Sequence, residues 1–154
     1  MPSTLLACRP TSSLADAPTH DIDQLVNRWQ PWLARLAAVS EQSERRVLFT
    51  EIGYRTNTNA VVEPWLWARQ VEGGGDAAGQ KVQASAYEAF FRAAWDLPWV
   101  AGAYWWKWFP NHERAGGGHD AGFTPQNKPA QEVIAEWYLR TYLAESQEAD
   151  RTQR

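Results

Sequence analysis

Two short apolar runs, set among stretches of helical periodicity, constrain this chain more than any other feature. Val47-Leu48-Phe49 with Ile52 forms the first, and Val100-Ala101-Gly102-Ala103-Tyr104-Trp105-Trp106-Lys107-Trp108-Phe109 the second. Near-continuous runs of this length suit strands buried on both faces of a parallel sheet. Ahead of the first run, Ile22, Leu25, Val26, Trp29, Leu33 and Leu36 recur at helical spacing behind Asp21-Ile22-Asp23-Gln24, which has the form of a capping box. Between the runs, Tyr87, Phe90, Phe91, Ala94 and Trp95 line one side of a helix predicted over 80–96 and stopped by Pro98. After the second run, Ala130, Val133, Ile134, Trp137 and Tyr138 form a third stripe, opened by Pro129 at the first helical position. The order helix, strand, long loop, helix, strand, Gly-rich loop, helix predicts an α/β fold with parallel strands and right-handed crossovers.

The fold is expected over residues 19–143, with a poorly ordered segment 1–18 before it and a polar tail, 144–154, after it. Pro31 is expected to kink the first helix or break it in two. The 154 residues make one domain, and 44% hydrophobic against 21% charged is ample for a core. A net charge of −3 gives no basic footprint, so no nucleic-acid partner is expected. The single cysteine, Cys8, excludes an intramolecular disulfide framework. Leu5-Leu6-Ala7-Cys8 has the shape of a lipoprotein cleavage box but lacks the basic start and apolar stretch of a working signal. No run reaches the roughly 18 apolar residues of a membrane span, so no membrane partner is expected, and the compartment stays open.

Glu51 interrupts the first run just before Gly53, where the chain leaves the sheet. A carboxylate there faces solvent or a polar pocket, because burying it unpaired costs several kcal/mol. In parallel barrels the C-terminal strand ends form the active face, which makes Glu51 the first catalytic candidate. The ten tryptophans are the other unusual feature, since indole rings make flat platforms for the apolar faces of sugars. A period of two puts Tyr104, Trp106 and Trp108 on one face and Trp105 and Lys107 on the other, so Lys107 is expected to face away from Trp106. Trp106 is expected to line a cleft. In the connection 54–79, Trp65 and Trp67 either anchor the loop or line a substrate site. Tyr54 and Arg55 either orient Glu51 or cap the strand, and Arg55 or Lys107 are the cations that would satisfy Glu51 in a purely structural role. His119-Asp120 beside three glycines shows no metal-ligand spacing, so the stretch 115–122 is expected to be a flexible polar loop, and neither metal nor cofactor is assigned.

The blocks Phe49-Thr50-Glu51-Ile52-Gly53-Tyr54-Arg55, Pro64-Trp65, Gly102-Ala103-Tyr104-Trp105-Trp106-Lys107-Trp108, Phe123-Thr124-Pro125 and Lys128-Pro129-Ala130 resemble the C-terminal part of glycoside hydrolase family 113, the β-mannanase-like retaining enzymes. The resemblance runs from about Ser13 to Leu143. It implies a partial (β/α)8 TIM barrel, its last two βα units arranged helix-strand-helix-strand-helix, in a chain that begins after the sixth strand. It makes Glu51 the nucleophile of a double displacement at the end of the seventh strand, and sets Trp106 on the eighth beneath the sugar next to the cleaved bond. Trp108, Tyr54 and Trp65 are the further expected contacts to an oligo- or polysaccharide. The family's acid/base glutamate, at the end of the fourth strand, has no counterpart here. Glu63, Glu72, Glu113 and Asp120 all lie in loops, with no strand to hold them about 5–5.5 Å from Glu51 as retention requires. A truncated retaining glycoside hydrolase with little activity alone is therefore expected. The alternatives are a non-catalytic carbohydrate-binding remnant or a purely structural fragment. Unpaired sheet edges invite self-association.

Overall fold

The helix behind Asp21 forms as the capping pattern predicts: the Asp21 carboxylate accepts the Gln24 N–H at 3.1 Å. The Asp21 N–H donates to the Thr19 hydroxyl rather than to Gln24, so the reciprocal arm of the box comes from the residue two positions before it. This first helix, α1, runs Ile22–Ser43. It ends in a Schellman motif, with Glu44 in the left-handed region and the Arg45 N–H reaching back to the Ser40 carbonyl. Pro31 does not break it. Pro31 and Asn27 both lie on the solvent side, where water can satisfy the carbonyl that the missing N–H leaves free.

The computed structural model describes residues 5–8, 13–66 and 74–152. In chain order they form β1 (Leu6–Cys8), α1, β2 (Val47–Ile52), α2 (Ala77–Ala94), β3 (Val100–Trp105), a 3-10 turn (His112–Arg114) and α3 (Pro129–Thr152). The sheet is parallel throughout, in the order β1-β2-β3. β1 pairs Leu6 with Val47 and Cys8 with Phe49, in a stretch expected to be poorly ordered. It lies beside β2 on the side away from β3, so the expectation of two strands is corrected to three. Two boundaries also move. α3 continues to Thr152, where a polar tail was expected from 144, and β3 stops at Trp105 rather than Phe109.

The core lies between the sheet and the helices. Phe49 of β2 meets Trp29 of α1 and Phe90 of α2 edge-on, with centroids 6.2 and 5.2 Å away. Trp105 of β3 packs on Phe91 of α2 at 5.3 Å and on Tyr138 of α3 at 6.3 Å. Trp137 stacks on Phe91 and donates its indole N–H to Glu88 at 2.8 Å, which joins α3 to α2. Each fully buried aromatic contributes about 1.5–3 kcal/mol by leaving water, and the edge-on pairs add about 0.5–1.5 kcal/mol each. Leu14 and Ala15 donate their N–H groups to the Val61 carbonyl, tying the segment before α1 to the loop after β2. Among the described residues, no helix is long and apolar enough to cross a membrane.

Candidate active site

Two compensating irregularities shape the C-terminal end of the sheet. Val47 pairs with Val100 but Leu48 with Gly102, so β3 carries one extra residue; Phe49 pairs with Ala103 but Ile52 with Trp105, so β2 carries one in turn. Gly102 lies at the first, with φ +139°, a conformation open to a residue without Cβ. The second falls at Thr50-Glu51. Strict alternation would send Glu51 to the buried side with Val47 and Phe49. The extra residue returns Ile52 to that side and leaves Glu51 half-buried at the strand's end. Bulges next to active sites re-aim side chains in this way. Glu51 is not without a partner.

Trp106 adjoins this end. Its N–H donates to the Ile52 carbonyl at 2.7 Å. A Cβ on Gly53 would lie 2.1 Å from the Trp106 carbonyl oxygen, so glycine is what allows the two segments to touch. Beyond Trp105 the chain is no longer strand, and the expected alternation lapses. Lys107 does not face away from Trp106: its ammonium lies over the Trp106 ring, 5.3 Å from the centroid. Trp108 and Phe109 are exposed, at 47% and 44%. The segment from Trp106 to Phe109 thus forms an arch that presents aromatic surface beside the end of β2.

Three buried polar side chains that sequence reasoning did not single out hold this rim together. Gln83 of α2 donates to the Tyr54 and Phe123 carbonyls at 2.7 and 3.2 Å, joining the loops that follow β2 and β3. Gln126 binds both backbone groups of Phe109: its oxygen accepts the N–H at 2.6 Å and its nitrogen donates to the carbonyl at 3.0 Å. Lys128 donates to the Thr56 hydroxyl at 2.6 Å and the Asp120 carboxylate at 2.8 Å. Burial pulls the Lys128 ammonium below its usual range, and Asp120 opposes that pull. The stretch 115–122 is accordingly anchored rather than a flexible loop, with Asp120 committed to Lys128. The only sequence signal was position, since Gln126 and Lys128 lie between Pro125 and Pro129, the residue that opens α3.

The remaining expected residues are not all where a ligand would find them. Tyr54 is a core residue, 4% exposed, with its ring edge-on to Tyr87 at 5.5 Å. Desolvation pushes the hydroxyls of both tyrosines well above their usual range. Arg55 neither caps the strand in solvent nor turns to Glu51 through Nε and Nη1. It is fully buried, donates to the Glu63 carbonyl at 3.3 Å, and those two nitrogens have no hydrogen-bond partner. Trp65 is 51% exposed on the turn after β2. Trp67 and Glu72 lie outside the described residues. At this end of the sheet the structure places Glu51 near the end of β2, Trp106 against Ile52 and Gly53, and Trp108 exposed two residues further on. Tyr54 is core and Trp65 lies on the turn that precedes residue 66. Chemically, a strand-end carboxylate beside aromatic platforms can attack or stabilise a positive centre on a bound sugar; protonating a leaving group needs a second carboxyl group.

The comparisons with known proteins bear on the family and the fold. The model of Glycoside Hydrolase Family 113 matches residues 8–128. The fold is similar to that of the GH113 β-mannanase AaManA from Alicyclobacillus acidocaldarius in complex with ManMIm, at 28% identity and a TM-score of 0.61, over 86% of this chain and 37% of that one. A GH113 β-1,4-mannanase solved as a complex is 25% identical with a TM-score of 0.61, over 88% of this chain and 38% of its own. Among curated proteins none matches. The chain thus spans little more than a third of the solved structures it resembles, and its α/β layers are part of a TIM barrel. With three parallel strands, their helices and the matched residues in agreement, this chain belongs to Glycoside Hydrolase Family 113.

Proposed function

We propose that this chain is the part of a retaining β-mannanase that carries the nucleophile and the floor of the sugar site. Glu51 attacks the anomeric carbon, Trp106 and Trp108 support the sugar ring, and the acid/base carboxylate comes from outside these residues. The bulge at Thr50-Glu51 carries the reading, because it takes the carboxylate out of the buried row and sets it at the strand end next to the Trp106 arch. Of the local carboxylates, Asp120 is bound to Lys128, Glu113 is on an exposed 3-10 turn, and Glu63 lies beside buried Arg55. None is carried by a strand, and a group held loosely loses most of the rate advantage of proximity. The chain alone is therefore expected to bind β-linked manno-oligosaccharides without turning them over.

Two measurements test this. Tryptophan fluorescence titrated with manno-oligosaccharides should saturate, and the response should fall in Trp106→Ala and Trp108→Ala. No reducing ends should be released from mannan. Turnover that disappears in Glu51→Gln would place a working acid/base group within the chain and overturn that half of the reading. A flat titration would overturn the sugar site and leave a structural fragment. The exposure of Trp108 and Phe109 favours, as the second reading, a carbohydrate-binding remnant in which Glu51 has no chemical role. On that reading the wild-type chain stays inactive even after the rest of a family barrel is supplied, whereas on the first reading it becomes active and Glu51→Gln does not.

A further inference from the structure

We infer that Gln126 is a positioning residue that holds the Trp106–Phe109 arch in the shape that presents its indoles to the sugar. The inference rests on the proposed sugar site and adds a residue to it. The arch is fastened at two ends. At the first, the Trp106 N–H is bound to the Ile52 carbonyl at 2.7 Å, the last sheet-like bond of this part of the chain. Past it, among the described residues, no strand lies beside the arch to continue the ladder. At the second, the Gln126 amide supplies what a neighbouring strand would, an acceptor at 2.6 Å for the Phe109 N–H and a donor at 3.0 Å to the Phe109 carbonyl. Trp106, Lys107 and Trp108 lie between those points.

Gln126 is itself fixed. It is fully buried, its side-chain oxygen also accepts the Thr124 hydroxyl at 3.0 Å, and its backbone N–H donates to that hydroxyl at 3.2 Å. Its nitrogen lies 3.3 Å from His112 Nδ1, and its carbonyl accepts the Gly117 N–H at 3.2 Å. A buried primary amide with both ends occupied has one orientation and no rotamer freedom to lose. That suits it to fixing backbone on which a ligand must land. Gln126 touches no substrate in this scheme; it acts through Phe109 on the two tryptophans.

The test uses the whole chain with Gln126→Ala and Gln126→Glu. The glutamate keeps the acceptor for the Phe109 N–H and loses the donor to its carbonyl. Amide hydrogen exchange at Phe109 and tryptophan-fluorescence titration with mannohexaose are read side by side, with the thermal midpoint as a control. In Gln126→Ala, Phe109 exchange should quicken and the dissociation constant rise, each by about tenfold, as expected for losing two hydrogen bonds. Gln126→Glu, which buries a carboxylate and sets one of its oxygens against the Phe109 carbonyl, should disturb both readouts at least as much as alanine. Wild-type exchange and affinity in a folded Gln126→Ala would overturn the inference. So would weakened binding with Phe109 still protected, since the effect would then not pass through the arch. If Gln126→Ala fails to fold, Thr124→Val, which removes only the hydroxyl that orients the amide, replaces it under the same criteria. A wild-type protein that ignores mannohexaose sinks the sugar site itself, while unchanged Phe109 exchange in the variants sinks the clamp.

Discussion

Replacing Gly53 by alanine isolates the contact on which the site is built. The backbone at Gly53 lies outside the left-handed region, so alanine is conformationally permitted there. With room for the methyl group, such a change would stabilise the protein by about 0.4–1 kcal/mol through the unfolded chain. Here the new Cβ would lie 2.1 Å from the Trp106 carbonyl oxygen and 3.0 Å from its carbonyl carbon and Cβ. An ordinary contact needs roughly 3.5 Å between heavy atoms, so the segments must part by more than an ångström. The obstacle is backbone, held on one side by the 2.7 Å bond from the Trp106 N–H to the Ile52 carbonyl and on the other by Gln126. Overpacking of this kind costs about 1–3 kcal/mol, and loss of the Ile52 bond about 1 kcal/mol more. The net expectation is a loss of about 2–3 kcal/mol. Urea unfolding followed by tryptophan fluorescence should show a midpoint lower by about 1–2 M, for a slope near 1.5–2 kcal/mol/M. Sugar affinity should fall with it as Trp106 is displaced. Stability equal to or above wild type would refute the close approach of β2's end to the arch, because only the absence of that contact lets the entropic gain prevail.

Lys128→Met should lower stability by about 2 kcal/mol in the same assay and speed proteolysis within 115–122, since the ammonium anchors Asp120 and Thr56. Alkaline titration read at 295 nm should leave Tyr54 and Tyr87 un-ionised until the protein unfolds. Burial raises both hydroxyls above the unfolded value near 10, so their contribution is complete below pH 10 and is lost above it, where only the unfolded chain gives up the protons. Light scattering should show mass rising with concentration as open sheet edges meet, and Tyr104→Lys on β3, where Tyr104 is 64% exposed, should suppress it.

The parallel α/β order was readable because each long helix carries an apolar stripe and β2 and β3 each a near-continuous apolar run. β1 was not, since Leu6–Cys8 is too short for any periodicity and is strand only through its pairing with β2. Pro31 misled because its cost depends on which side of the helix it occupies, and that is set by the burial of Trp29 and Leu33. Glu51 was legible as a carboxylate at a strand end, but the bulge that turns it is a pairing mismatch between β2 and β3, a property of two distant segments. Tyr54 failed as a ligand contact for a related reason: an aromatic next to a strand end fits a cleft or a core equally well. Tyr87 on α2, with its ring against Tyr54, decides for the core. The rim network was hidden because glutamine and lysine next to a helix start read as solvated flanks.

That network also bears on how an incomplete barrel can hold part of a site. A buried amide or ammonium stabilises little in net terms, and leaving one unpaired costs about 1–3 kcal/mol, more for a charge. Gln83, Gln126 and Lys128 are buried together with nearly all their partners in the loops that follow β2 and β3. The described parts of those loops are therefore held by contacts inside this chain. On the proposed function the same does not hold for a second carboxylate, which must stand across the sugar from Glu51 and so on a different part of a barrel. In that reading, nucleophile and sugar floor form one locally supported unit, and the proton donor belongs to another. On the proposed function, binding and catalysis should separate accordingly, with binding a property of these residues and turnover a property of the closed barrel.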